Sequence, residues 1–507
     1  MPLSSSRLRR SKAVSWPGRL LTSRFSAAFI LIALMLLVPG SPSGATAHTR
    51  LVEINADSQE LKRRLEAQRA AVQSANPATI IEASQKLAAL ALRQMGEWRM
   101  QQKAYPQAIE LYRNSLLLED SPETRADIAA GEERAKLGRQ PGPADSESAD
   151  PAAGPSPSVL KSAKLAPAQL QRGKTQEKRL RQILGTSYND WGAAEARQQK
   201  YLQSLIHFHE AERWSASTPG LMRNIGLAAA KVGDNAEAAR ALKIVVKQDP
   251  KDRVSRAILA ISLFATERYA DAAKVFGVLG DAALTDPNMA YAWAFSLART
   301  NQPKQASAIL EKLTAQQIPP DLLVSVGEVY NHLGDYERAL TCFRKAIQQD
   351  PSIKKAHDDA GSVLIRLDRP AEAIPELQAE LKLNPDEPDT QYRLAYALLQ
   401  TAQEEQAIEV LRTLIAAYPY HARARYDLGK ELLETGKTEE AIQNLEAAAK
   451  LDPERAYIHY QLQSAYRKAA RTSDADRELQ LYRQIKERDR GRTPPPTEAG
   501  GVPDVDH

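Results

Sequence analysis

The densest run of metal-ligating side chains is His207-Phe208-His209-Glu210. Two imidazoles and a carboxylate are a zinc donor set when they converge. Here they do not: Phe208 has the place of a buried apolar residue, so the two histidines leave the helix on opposite sides of it. His209-Glu210 also has no second histidine one turn further on, which a helical zinc motif requires. No metal is expected. Cys342 is the only cysteine, so an internal disulfide, a cysteine zinc site and a redox pair are all excluded. It stands beside an apolar position and reads as a packed, inert thiol. The chain has no phosphate-binding loop, nucleophile elbow or Gly-rich dinucleotide fingerprint. No catalytic residues and no cofactor are expected.

With chemistry scarce, the question becomes what the chain builds. Pro351, Pro385, Pro419 and Pro453 are spaced 34 residues apart, and the pattern between them repeats as well. In 320–353, Val326-Gly327 and Tyr330 fall on a first helix, Gly334-Asp335 on a turn, and Ala339, Phe343 and Ala346 on a second helix. In 422–455 the same places hold Leu428-Gly429, Leu432, Gly436-Lys437, Ala441, Leu445 and Ala448. Nine contiguous units result, beginning at 185, 219, 253, 287, 320, 354, 388, 422 and 456, and a tenth stands apart at 89–122. Each pairs a small residue on the first helix (Gly192, Gly226, Ala260) and one on the second (Ser204, Ala238, Ala272) with a large plug four residues later (Phe208, Leu242, Phe276). Small residues let two helices approach to about 8 Å, and the plug fills the space between them. The departures are Gln463 at a small-residue place, Pro375 inside a second helix, and three units, ending near Ala216, Leu284 and Ile318, that lack the closing proline.

This pattern resembles the tetratricopeptide repeat family, and covers 89–122 and about 185–489. The resemblance implies an all-α, right-handed α-solenoid of antiparallel helix pairs, with first helices lining a concave groove. It places Arg223, Tyr291, Phe295, Arg299, Asn331, Tyr392, Tyr396, Tyr426, Lys430 and Tyr460 on that groove. Tyr392, Tyr426 and Tyr460 recur in phase, so they also fit a purely structural role. His357 and His459 share one place in their repeats and read as packed histidines. The Lys-Asn pair with which some family members grip a terminal carboxylate is absent from every unit.

Residues 1–47 carry Arg7, Arg9, Arg10, Lys12, Arg19 and Arg24 and no acid. The chain is +5 overall, so these six cations leave the remainder at −1. The basic balance belongs to the leader and does not indicate a nucleic-acid partner. The leader reads as a signal peptide: the apolar run Phe25–Val38 is short of the roughly 20 residues a spanning helix needs, and Ala45-Thr46-Ala47 forms an A-x-A site. An uncleaved N-terminal anchor is the alternative, and the only membrane contact expected. After it come an N-terminal helical region, 48–138, and a Pro/Ser/Gly-rich segment, 139–166, of linker composition. Then follow the array with its charged terminal helix, 167–490, and a tail, 491–507, containing Pro494-Pro495-Pro496. Two readings of 139–166 stay open: a linker between helical pieces, or an insertion inside a repeat whose helices are 123–138 and 167–184. Leu51, Ile54, Leu61, Leu65 and Val72 follow a heptad broken by Ser58 and Gln68, which suits a capping helix better than a coiled coil.

The expected function is that of an exported, non-catalytic scaffold binding a protein or peptide segment in its groove. The alternative is a factor for assembly or export of surface polysaccharide or other envelope machinery. An enzyme or sensor would need a cluster of titratable groups with shifted pKa values on the concave face. Oligomeric state is left open.

Overall fold

The computed structural model describes residues 59–137 and 167–490. The expected signal peptide, the heptad places Leu51, Ile54 and Ser58, the Pro-rich segment from 138 to 166 and the tail from 491 lie outside the described residues. Those that are described form 23 α-helices and no strand. The chain is an all-α solenoid built from helix hairpins. It divides into two compact units, Met1–Ala292 and Trp293–His507.

In the first unit the helices are α1 (Gln59–Ser74), α2 (Pro77–Gln101), α3 (Tyr105–Leu118), α4 (Pro122–Leu137), α5 (Pro167–Arg197), α6 (Tyr201–Ser215), α7 (Leu221–Val232), α8 (Asn235–Gln248), α9 (Arg253–Ala265), α10 (Tyr269–Leu279) and the short α11 (Asp281–Leu284). The boundary falls inside α12 (Pro287–Arg299). The second unit continues with α13 (Pro303–Thr314), α14 (Pro320–His332), α15 (Tyr336–Gln349), α16 (Ala356–Arg366), α17 (Pro370–Leu383), α18 (Pro388–Gln400), α19 (Glu404–Ala417), α20 (Ala422–Glu434), α21 (Thr438–Leu451), α22 (Ala456–Lys468) and α23 (Thr472–Arg490). Each of the nine contiguous sequence units is thus a helix pair.

The hairpins are set locally. Gly233, Gly334 and Gly436 turn the chain with φ near +80° (83°, 78° and 81°), a conformation that costs glycine nothing. Asp234 and Asp335 then cap the second helix by accepting the N–H of Glu237 (3.0 Å) and Arg338 (3.4 Å), which satisfies an otherwise orphaned donor. Inside each hairpin the small-against-large seam is realised. A Cβ added at Gly226 would lie 2.4 Å from Leu242, and one at Gly361 would lie 2.6 Å from Leu377. The plugs Phe208, Phe276, Phe343 and Leu445 are buried. Leu479, on the last helix, is only half-buried. Helix α17 runs through Pro375, whose missing N–H removes one bond without ending the helix.

The first-helix layer is visible within each unit. In the first, α5 touches α7 and α7 touches α9; in the second, α14 touches α16, α16 touches α18, and α20 touches α22.

The N-terminal region differs from the sequence expectation. The span 167–184 is not a helix of its own; α5 is continuous from Pro167 to Arg197. Its main neighbours are α6 and α2, while α4 packs on α3. A repeat formed by 123–138 and 167–184 is therefore not what the packing supports. Trp98 lies over Gly173, and Arg99 pairs with Glu177 at 2.6 Å. At the other end, Gln68 of α1 bridges Ser84 and Asp190. These contacts make α2 and α5 antiparallel, so α2 serves α3 as a first helix and α5 as a second. Helix α1 completes the arrangement: Ala71 packs with Ile80 of α2 and Ala194 of α5. Its buried Gln68, a break in the heptad, is the residue that ties it down.

Candidate functional site

One polar contact recurs between successive first helices. Asn224 donates from Nδ2 to Asn189 Oδ1 at 2.9 Å. Arg393 donates from Nη1 to Asp358 at 2.8 and 2.7 Å. Tyr392 donates its hydroxyl to Asp427 Oδ2 at 2.8 Å. All three pairs are 35 residues apart, one repeat plus one residue. Gln68 to Asp190, at 3.2 Å, places α1 in the same layer. Burial lifts both Asp190 and Asp427 to about 6. Low-dielectric surroundings penalise the carboxylate more than the neutral acid. These rungs fix how neighbouring first helices meet, and the 35-residue spacing is the sequence signal by which they could have been found.

Around Asp427 the face becomes aromatic. Tyr426 and Tyr457 meet edge to face at 4.7 Å and 70°, a favourable geometry for two rings. Tyr460 lies 5.5 Å from Tyr482. Tyr457 and Tyr460 are 41% and 52% exposed, and Tyr396 and Tyr426 are half-buried. Burial, with Asp427 nearby, pushes Tyr426 up to about 12, so it remains a neutral hydrogen-bonding phenol. Lys430 pairs with Glu431 at 3.2 Å.

Of the ten expected groove residues, the structure brings Tyr396, Tyr426, Lys430 and Tyr460 to an accessible surface on α18, α20 and α22. Three must be corrected. Tyr291, Phe295 and Tyr392 are 1%, 5% and 6% exposed; they are framework, because neighbouring side chains close over the rings. Arg223 is half-buried and bonded to Asp252 at 2.9 Å, so it braces the end of its own repeat. Arg299 and Asn331 are half-buried. Tyr457, the partner of Tyr426, was missed because it lies one helical turn before the repeating tyrosine.

The histidines sort as their spacing suggested. His357 and His459 are buried, with Nδ1 2.6 Å from Glu376 and Glu478 respectively. His207 and His209 diverge: His207 stacks on Trp191 at 3.8 Å and meets Glu195 at 2.7 Å. His209 instead lies 3.6 Å from Glu212 and 4.0 Å from Glu237. These three are the one His-carboxylate group among the described residues with ligand atoms close enough for a metal. The guanidinium of Arg240 already bonds both carboxylates, at 3.0 and 2.7 Å. Cys342 is buried, and burial pushes its thiol up to about 11. It lines a cavity of about 280 Å³ with Glu311, Tyr330, Arg338 and Lys345. No helix of the described residues is long and apolar enough to cross a membrane.

Sequence profiles agree with this architecture. The tetratricopeptide repeat matches 223–285, 320–353 and 359–422, and a TPR repeat matches 429–468. These four stretches are tetratricopeptide repeats. Among solved structures it is similar to a MamA double mutant, at 23% identity over 34% of this chain and 97% of that one, with a TM-score of 0.33. It is also similar to YrrB, described as a TPR protein with an unusual peptide-binding site, at 22% identity over 36% and 92% of the chains and a TM-score of 0.32. A third likeness is to MamA from Desulfovibrio magneticus RS-1, at 24% identity over 34% and 97%, with a TM-score of 0.31. No curated protein matches the sequence.

Proposed function

We propose that this protein is an exported, non-catalytic scaffold that holds a protein or peptide segment on its first-helix face. The observation that carries the reading is the run of accessible tyrosines, Tyr396, Tyr426, Tyr457 and Tyr460, on three consecutive first helices. Half-buried aromatics supply large contact area at small entropic cost, which is why they dominate binding hot spots. Export rests on the leader alone. Its basic start, short apolar run and A-x-A sequence support a mature chain beginning at His48.

Shifted carboxylates on the first helices are the feature an acid-base enzyme would share. Asp427 is engaged by Tyr392, and Oδ2 of Asp359 lies out of solvent; both groups suit a framework better than proton transfer to a substrate. The buried thiol and the Glu-tied histidines support the same conclusion.

The experiment is affinity capture from the producing cell with the full chain and with a Tyr396→Ala/Tyr426→Ala/Tyr460→Ala variant. The variant should lose at least about tenfold of the retained partner, since aromatic hot spots often contribute 2 kcal/mol or more each. Equal retention by a variant with unchanged helical circular dichroism would sink the reading. Tyr392 is left intact because its loss would perturb folding as well.

A further inference from the structure

The cavity of about 280 Å³ between α13, α14 and α15 has no part in holding a segment on the tyrosine face. It is smaller than the roughly 300–1,000 Å³ of sites for drug-sized ligands. It is also several times the share of about 30 Å³ that one water takes up in the liquid. Tyr330 of α14 lines it and is 1% exposed. The charges that act on its phenol are those of Cys342, Arg338, Glu311 and Asp335. Three of these also line the cavity, so the hydroxyl lies at it. That hydroxyl makes no hydrogen bond among the described residues, whereas a buried tyrosine ordinarily finds a partner. Burial first, then Cys342, pushes Tyr330 up to about 12. The phenol therefore keeps its proton and is a donor without an acceptor.

The charges around it are unevenly committed. Arg338 donates to Glu311 at 2.8 Å and to Asp335 at 2.9 Å, and lies 5.9 Å over the Tyr330 ring. Glu311, the one acid lining the cavity, is thereby neutralised. Lys345 also lines it, is exposed, and has neither hydrogen bond nor ion pair among the described residues. One neutral donor and one cation remain unused, beside the apolar surface of Ala315 and the protonated thiol of Cys342.

We propose that this cavity binds a small carboxylate with a compact apolar body, of about the size of benzoate. One carboxylate oxygen accepts from the Tyr330 hydroxyl, its charge faces Lys345, and the body packs on Ala315 and Cys342. The occupant would link α13 to α15, the second helices of consecutive repeats. Nothing in this inference depends on the tyrosine face.

Benzoate is the probe and benzylamine its counterpart, each titrated calorimetrically into the full chain at low salt, where screening is weak. Benzoate should bind at millimolar affinity or tighter and benzylamine should not. Tyr330→Phe should weaken benzoate about tenfold; it removes a hydroxyl that bonds nothing, so thermal stability should be unchanged. Lys345→Gln should weaken binding and remove most of its salt dependence. Ala315 is exposed with φ at −74°, so Ala315→Phe can fill the cavity without backbone strain and should abolish binding. That variant keeps the test decisive should Tyr330→Phe not fold. Absence of benzoate binding would overturn the proposal, as would equal affinity for benzylamine. Unchanged benzoate affinity in Tyr330→Phe or in Ala315→Phe would do the same.

Discussion

A Cβ on Gly327 would sit 2.5 Å from the ring of Phe343, closer than any real contact, so the hairpin depends on that hydrogen. Gly327→Val should cost about 2–3 kcal/mol through overpacking, read as a lower urea midpoint. Shortening the plug by Phe343→Leu in the same chain should restore part of the loss. An unchanged midpoint for Gly327→Val would show that the helices are not locked at this seam. Asp427 gives a second residue-scale expectation. Its folded pKa is about 6, above the roughly 3.9 of an unfolded aspartate. The folded state therefore binds the extra proton, and this contribution is complete below the unfolded value and lost as pH rises towards 6. Asp427→Asn keeps an acceptor for the Tyr392 hydroxyl and removes the buried charge. It should stabilise the protein at pH 7.5 by about 1–2 kcal/mol and flatten the stability profile between about pH 4 and 6. Thermal melts across that range decide; a variant less stable at pH 7.5 would mean that the charged form is the favoured partner of Tyr392. His459 has the opposite charge type. Its two nitrogens face acceptors only, Glu478 at 2.6 Å and the Pro453 carbonyl at 2.9 Å, so both must donate. The hydrogen bond to Glu478 raises its pKa, and the stability it adds is lost as pH climbs through that raised value.

At the scale of helices, each pair was legible because it carries its own start, turn and seam within 34 residues. The turn glycine, the capping aspartate and the small-large pair act locally, so neighbours in sequence specify them. The N-terminal packing was not legible. Antiparallel contact between α2 and α5 joins residues far apart in the chain, through Trp98 over Gly173 and Arg99 with Glu177, 78 positions apart, while Gln68 of α1 reaches Asp190 of α5 across 122, and no periodicity announces it. A protease site introduced at 150 tests this arrangement. After cleavage the two pieces should stay together in gel filtration, because α2 and α5 are main neighbours and Trp98 is buried over Gly173. Separation of the pieces without denaturant would refute the packing. Gly173→Val should promote separation, since any side chain there meets the Trp98 ring.

For the whole molecule, the repeat, the hairpin and the seam could be read from the order of amino acids alone. Those follow from helical periodicity and steric fit, which are properties of short stretches of chain. That order did not determine how deep each face residue lies. Tyr392, Tyr426 and Tyr460 hold one place in three consecutive repeats, yet the first is buried against Asp427, the second half-buried and the third 52% exposed. Tertiary structure decided between them, because exposure depends on which side chains the adjoining helices bring. The same holds for Asp359: its place in the repeat follows from the spacing, but the burial of its Oδ2 arises only once neighbouring helices pack. Local sterics write the fold; the accessible parts of its surface are written by contacts between repeats.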